Sequence, residues 1–257
     1  MLTFAIIYSI TMNLKVIVIC LLLPIGALAQ NVTNAESEDN RILKFSNFSA
    51  SLEFTTKYMW RGIEYGTSPV FLPMLSYSYK GFNVYAMGGY AANGSHQEVD
   101  FGISYTHKWL TIGFNDYYYP TAVSEKDNYF VFKNRETSHY VEASATLAPQ
   151  KFPVYLTLSS YVFGMDKKPN GSQAFSSYAE IGYNHHFKGN NVMTVLVGAE
   201  LNRGFYTDYE KGFSVCNVAA KYTTSIPLGK YKLPISASLV FNPYKEKAYF
   251  TFSAYLR

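Results

Sequence analysis

The chain has 257 residues, of which 16% are charged and 18% aromatic, and its net charge is +4 at pH 7. An ordinary soluble domain contains about 25% charged residues, so the composition argues against one, and the small net charge argues against a nucleic-acid partner. The mean hydropathy of −0.05 is too low for a bundle of membrane helices and is typical of a β-barrel in lipid, where apolar and polar residues alternate.

Residues 1–29 have the pattern of a cleaved export signal. Lys15 precedes the apolar run 16–23, and Ala27-Leu28-Ala29 is a small-x-small cleavage site. The run is too short to span a bilayer, which needs about 20 apolar residues. Met12 is an alternative start within this segment. We therefore predict an exported protein.

The exported chain has two further features. Residues 30–45 are polar and predict a flexible leader. Cys20 lies in the predicted signal, so Cys216 remains alone and no internal disulfide can form. The fold of residues 46–257 must then depend on backbone pairing and packing.

After Ser46, apolar and polar residues alternate with the period of two that predicts β-strands. About twelve such segments follow, and the parity slips near Asn217, which indicates a bulge. The predicted fold is all-β, a single antiparallel transmembrane β-barrel over 46–257. The predicted strands are 46–60, 69–80, 82–91, 98–107, 109–119, 139–147, 153–163, 175–187, 191–201, 212–226, 232–242 and 247–257.

The connections alternate between short and long along the whole chain. Short periplasmic turns, longer external loops and an even number of strands are typical of outer-membrane barrels. Aromatic residues near the predicted strand ends could form the two girdles at headgroup depth, or could reflect the strand preference of tyrosine. They are Tyr58, Trp60, Tyr77, Tyr79, Tyr105, Trp109, Tyr117, Tyr118, Tyr119, Tyr183 and Tyr222.

Charged residues occur in the middle of predicted strands on the polar face. We predict that they line the lumen, because a twelve-stranded barrel is wide enough to keep them hydrated. A ring of carboxylates would favour cations; alternatively, internal salt bridges could lock the lumen, and the sequence leaves both open. The predicted lumen-lining residues are Glu98, Asp100, Glu142, Glu180, Glu200 and Lys221.

Two features are predicted at the external end. Arg61 follows the first predicted strand and could lie at the pore mouth, although we favour a structural arginine that binds loop carbonyls and a carboxylate. The connection 120–138 is long and charged. We predict that it folds inward and narrows the lumen.

The element Tyr58-Met59-Trp60-Arg61-Gly62, followed by Pro69 and by Tyr118-Tyr119-Pro120, resembles a known bacterial family, the TorF-type putative porins. The resemblance covers most of the exported chain and is sharpest from Phe54 to Pro120. It implies an outer-membrane barrel with a provisional pore role. It implies no established substrate or catalytic residue.

The expected function is a passive, porin-like channel for small hydrophilic solutes in the bacterial outer membrane, with outer-membrane lipid and the barrel assembly machinery as partners. The alternatives are a structural or adhesive surface barrel with a plugged lumen and, third, an outer-membrane lipid hydrolase. We predict no enzyme, because His139 and Ser144 face opposite sides of their strand and no Gly-x-Ser-x-Gly element is present. No cofactor or metal is expected, since His185 and His186 are adjacent on a strand and point apart.

Overall fold

Twelve strands form a closed antiparallel barrel in the computed structural model, which describes residues 47–120, 128–133 and 136–257. The barrel strands are β1 (Phe48–Thr55), β4 (Val70–Tyr79), β5 (Phe82–Ala91), β6 (Gln97–His107), β7 (Leu110–Tyr118), β8 (His139–Leu147), β9 (Val154–Gly164), β10 (Ser177–His186), β11 (Val192–Glu200), β12 (Ser214–Leu228), β13 (Tyr231–Asn242) and β14 (Lys247–Leu256). The predicted all-β, twelve-stranded barrel is confirmed. The predicted signal 1–29 and leader 30–45 lie outside the described residues.

The first predicted strand, 46–60, is wrong at its end. The barrel strand β1 stops at Thr55, and the chain then forms a separate two-stranded hairpin of β2 (Tyr58–Trp60) and β3 (Ile63–Tyr65). Thr55 pairs directly with Val70 of β4. The hairpin is therefore an insertion between two neighbouring strands of the wall.

The barrel closes where β1 pairs with β14, for example Leu52 with Leu256. The longest connections, 56–69, 119–138, 165–176 and 201–213, all leave the same end, here called the long-loop end. The connections at the opposite, short-turn end include the two-residue turns 80–81, 108–109 and 229–230. The predicted rhythm of connections is present except at the last one, since 243–246 at the long-loop end is shorter than 148–153 at the short-turn end.

The outer face of the barrel is an apolar band. Because side chains alternate along a strand, every second residue points outward, and many of the outward residues are large, apolar and half-exposed. Examples are Leu75, Phe82, Ile103, Phe114, Ile181, Val197, Leu239 and Phe250. A closed ladder leaves no unpaired strand edge, so this band can face lipid without exposing backbone groups. Among the described residues, no helix is long and apolar enough to cross a membrane.

The parity slip near Asn217 is a bulge. Gly198 pairs with Asn217 while Ala199 pairs with Val215, so Cys216 is the extra residue on β12. The predicted bulge is confirmed. Cys216 is fully buried, and its carbonyl oxygen lies against the turn of the β2–β3 hairpin.

Glycines on the inner face leave room for tyrosine rings. A Cβ atom on Gly102 would lie 2.0 Å from the ring of Tyr85, and one on Gly198 would lie 1.9 Å from the hydroxyl of Tyr178. The Tyr178 hydroxyl donates to Glu180 at 2.6 Å and accepts from Asn217 at 3.0 Å. Gly198 therefore determines where this hydroxyl and its partners lie.

Replacing Gly198 with alanine is expected to destabilise the barrel by about 1–3 kcal/mol, the usual effect of overpacking, because Tyr178 must move and its hydrogen bonds are strained. The measurement is the temperature at which the folded form converts to the unfolded form on a semi-native gel. Gly212→Ala is the control, since a Cβ there meets no atom within 4 Å. Equal conversion temperatures for the two variants would contradict the prediction.

Candidate functional site

The β2–β3 hairpin lies inside the barrel at the long-loop end. The ring of Trp60 packs 5.4 Å from that of Tyr117 at the end of β7. On the opposite side of the ring, Asn242 of β13 donates a hydrogen bond of 3.0 Å to the carbonyl of Gly62. A segment that contacts opposite walls of a closed ring must lie within it, so the hairpin occupies the lumen.

A two-residue turn forms the tip of the hairpin. Arg61 has φ of 50° and Gly62 has φ of 80°, which is the pattern of a type I′ turn. A Cβ atom on Gly62 would lie 1.9 Å from the carbonyl oxygen of Cys216. Only glycine fits this contact at position 62. Arg61, which is not a glycine, adopts the left-handed backbone conformation at a cost of about 1 kcal/mol.

The side chain of Arg61 holds the tip in place. Its guanidinium donates to both carboxylate oxygens of Glu142, with Nη2 to Oε1 at 2.9 Å, and Nη1 also donates to the hydroxyl of Tyr206 at 2.5 Å. The guanidinium carbon lies 4.5 Å from the ring centres of both Trp60 and Tyr178. Bidentate pairing and cation–π contact are both stronger where water is excluded. These contacts fit the interpretation of Arg61 as a structural residue that binds a carboxylate.

A second segment enters the lumen beside the hairpin. Tyr206 lies in the 3₁₀ turn Phe205–Thr207 of the connection 201–213, and its ring is 5.2 Å from that of Tyr178. Burial raises the pKa of the Tyr206 hydroxyl well above its ordinary value, so it stays protonated. Sequence reasoning missed Tyr206, because no local pattern distinguishes it within a polar connection.

Together these groups form a close-packed layer across the lumen, here called the occluding layer. Tyr161, Tyr178 and Tyr206 are each 1% exposed. The layer consists of Trp60, Arg61, Glu142, Tyr161, Tyr178 and Tyr206.

The five acids predicted to line the lumen lie within four residues of the long-loop ends of their strands. The carboxylate of Glu142 is paired with Arg61. The side chain of Glu98 lies 3.2 Å from Nε2 of His96. Asp100 and Glu200 are fully buried. Acids at one level therefore surround the hairpin, and most of them are enclosed by protein.

Glu180 and Lys221 line a cavity of about 430 Å³ that extends from the hairpin toward the short-turn end. The carboxylate of Glu180 accepts hydrogen bonds from three neutral donors, the hydroxyls of Tyr155 (2.8 Å) and Tyr178 (2.6 Å) and the amide of Asn217 (3.2 Å). The Lys221 ammonium donates to the Tyr255 hydroxyl at 3.2 Å. This cavity is here called the chamber.

Glu53 of β1 also lines the chamber, and it was not among the predicted lumen residues. The sequence does contain the signal, since Ser51, Glu53 and Thr55 alternate with Leu52 and Phe54. On the other side of the occluding layer, a cleft of about 270 Å³ opens at the long-loop end. It is lined by Tyr65, Tyr119, Ser138, Tyr140, Met165 and Phe205.

The predicted inward fold of the connection 120–138 is wrong for residues 128–133. Tyr118 pairs in register with Val99 and His139 on the outward-facing side of the wall. The ring of Tyr129 lies 5.1 Å from that of Tyr118 and 6.1 Å from that of Phe101. Its aromatic residues pack on the apolar outer wall, while the lumen is filled by the hairpin. Residues 121–127 and 134–135 lie outside the described residues.

His139 has one feature of a hydrolytic histidine, because its Nδ1 lies 2.8 Å from Asp116 Oδ1. A serine hydrolase needs the other ring nitrogen to contact a hydroxyl nucleophile. Here Nε2 faces the backbone carbonyl of Tyr129 at 2.7 Å, so these contacts supply no nucleophile. Over the described ranges, no group of His, Cys, Asp and Glu could hold a metal ion. That the chain is not an enzyme stays a prediction.

The fold and the lumen define a class, a transmembrane-type β-barrel with an inserted hairpin. No protein-family model and no curated protein matches the chain. Among solved structures it is similar to a KdgM porin, with 10% identity and a TM-score of 0.43 over 80% of this chain and 96% of that one. It is also similar to OccAB3 of Acinetobacter baumannii, with 12% identity and a TM-score of 0.38 over 79% and 58%. The fold assignment rests on the strand pairing of this chain, and the TorF-type resemblance stays a prediction.

Proposed function

We propose that the protein is a bacterial outer-membrane channel for small hydrophilic solutes, closed near its long-loop end by the β2–β3 hairpin. The observation that carries the proposal is the polar chamber directly below the occluding layer. Besides its charged groups, the chamber is lined by hydroxyls of Thr55, Thr157, Thr194, Ser238, Thr251 and Ser253. A barrel that served only as a scaffold would need no such space lined by polar groups within its wall.

The closing element is separable from the wall. β2 and β3 pair with each other and form a sheet of their own. Side-chain groups such as the Arg61 guanidinium and the Asn242 amide hold the hairpin in the lumen. The hairpin can therefore leave without breaking a strand pair of the barrel, which is the requirement for a gate.

The location follows from the same proposal. The apolar outer band matches the hydrocarbon of a membrane, and the signal predicted at residues 1–29 would export the chain. Insertion would then require the barrel assembly machinery, and outer-membrane lipid would surround the band.

Gly62→Val is the test by a single substitution. A valine side chain cannot share space with the Cys216 carbonyl and disfavours the left-handed φ of 80°, so we expect the hairpin to undock and solute permeation to rise. The measurement is swelling of proteoliposomes in sugars and amino acids of graded size. Gly171→Val is the matched control, since Gly171 has the same φ and no atom within 4 Å of its Cβ position.

The alternative is a structural or adhesive barrel with a plugged lumen. It predicts no permeation from Gly62→Val even when protease digestion shows that the hairpin has become accessible. That result would overturn the channel proposal. Permeation by Gly62→Val above that of Gly171→Val supports it.

A further inference from the structure

Residues 128–133, here called the strap, cross the outer wall at its long-loop end. The strap packs beside Tyr118, the last residue of β7, and His139, the first residue of β8. The ring of Phe132 stacks on that of His139 at 4.5 Å. The strap is thus attached to the edge of the apolar band at the long-loop end.

The strap covers a polar pair on the outward face. Asp116 lies in register with Phe101 and Val141, two outward residues. A carboxylate and an imidazole facing lipid would be costly unless each polar atom had a partner. His139 is fully buried, and its ring nitrogens contact Asp116 Oδ1 at 2.8 Å and the carbonyl oxygen of Tyr129 at 2.7 Å. The Tyr129 carbonyl of the strap therefore supplies His139 with a hydrogen-bond partner that the strands do not provide.

The free side of the strap is aromatic. Phe130 is 81% exposed and Phe132 is half-exposed. Burying a phenylalanine side chain is worth about 1.5–3 kcal/mol, so this surface gains by entering an apolar medium. It is continuous with the outward residue Phe101, which Tyr129 contacts. The edge of a lipid-facing band lies at the boundary between headgroups and acyl chains, where aromatic side chains are enriched.

We infer that the strap is an interfacial membrane anchor, in which Phe130 inserts at the headgroup–acyl boundary of the lipid and the backbone seals the Asp116–His139 pair. The inference rests on the membrane location of the proposed function. It assigns residues 128–133 of the connection a role toward lipid in place of the predicted role toward the lumen. The continuity with the lipid-facing wall favours lipid over a protein partner as the occupant.

The test is a nitroxide spin label at position 130, introduced as Phe130→Cys, in the full barrel reconstituted in phospholipid bilayers. Cys216 is buried and does not compete for the label. Two reference sites calibrate depth, Phe114→Cys on the lipid-facing wall and Lys168→Cys in an exposed connection. We expect the label at 130, like that at 114, to be relaxed more by lipid-soluble oxygen than by a water-soluble nickel complex.

Each outcome is decisive. If the label at 130 is relaxed by the two agents in the same way as the label at 168, the strap is in water and the inference is overturned. A label at 130 shielded from both relaxing agents shows that protein covers the strap, and this also overturns it. If the label at 114 is itself in water, the membrane location fails instead, so failure of the proposed function is distinguishable.

Discussion

A barrel that lacks the β2–β3 hairpin is expected to conduct ions at a level severalfold above that of the complete protein. Thr55 and Val70 are paired neighbours, so residues 56–69 can be replaced by an Asn-Gly turn that joins β1 to β4 as an ordinary strand connection. The change removes Trp60 and Arg61 from the occluding layer. It leaves Glu142 free to be hydrated and connects the chamber with the long-loop end.

The measurement is single-channel current in planar bilayers. A variant that lacks only the strap, residues 128–133, is the control, since the strap lies on the outer wall and its removal should leave the conductance unchanged. A well-folded hairpin-free barrel with no conductance would show that the lumen is blocked by other groups. It would favour the plugged structural barrel.

Arg61→Ala is expected to have the largest effect of any single side-chain truncation on hairpin docking. The Arg61 and Glu142 side chains are only 13% and 2% exposed. Removing one partner of such a pair leaves an uncompensated charge and costs about 3–5 kcal/mol. Since 1.4 kcal/mol corresponds to a factor of ten, docking weakens roughly 100- to 4000-fold, and the hairpin should leave the lumen far more often.

The frequency of opening events in planar bilayers measures this effect. The double variant Arg61→Ala with Glu142→Gln should recover part of the closed state, because no unpaired charge remains in the layer. Lys57→Ala is a control within the same inserted segment, 56–69, since its partner Glu64 belongs to that segment too and the pair is partly exposed, with side-chain exposures of 41% and 25%. Equal opening frequencies for Arg61→Ala and Lys57→Ala would contradict the assigned role of Arg61.

Much of the barrel could be predicted from local patterns. Alternation in segments such as 98–107 depends only on which face of a strand meets lipid, and that preference is carried by each residue in turn. The bulge at Cys216 was visible as a parity slip for the same reason. Even Glu53 could have been placed on the inner face by its alternation with Leu52 and Phe54.

The site depended on contacts that no local pattern records. Tyr58-Met59-Trp60 alternates like a barrel strand, yet it folds into the lumen because Arg61 finds partners 81 and 145 residues away, Glu142 and Tyr206. The strap packs on the outer wall because an aromatic segment gains by joining the apolar band. The amino-acid sequence by itself thus determined most of the strands, their faces and the apolar band. Only the tertiary structure decided which connection fills the lumen, because that choice depends on space and charge contributed by distant strands.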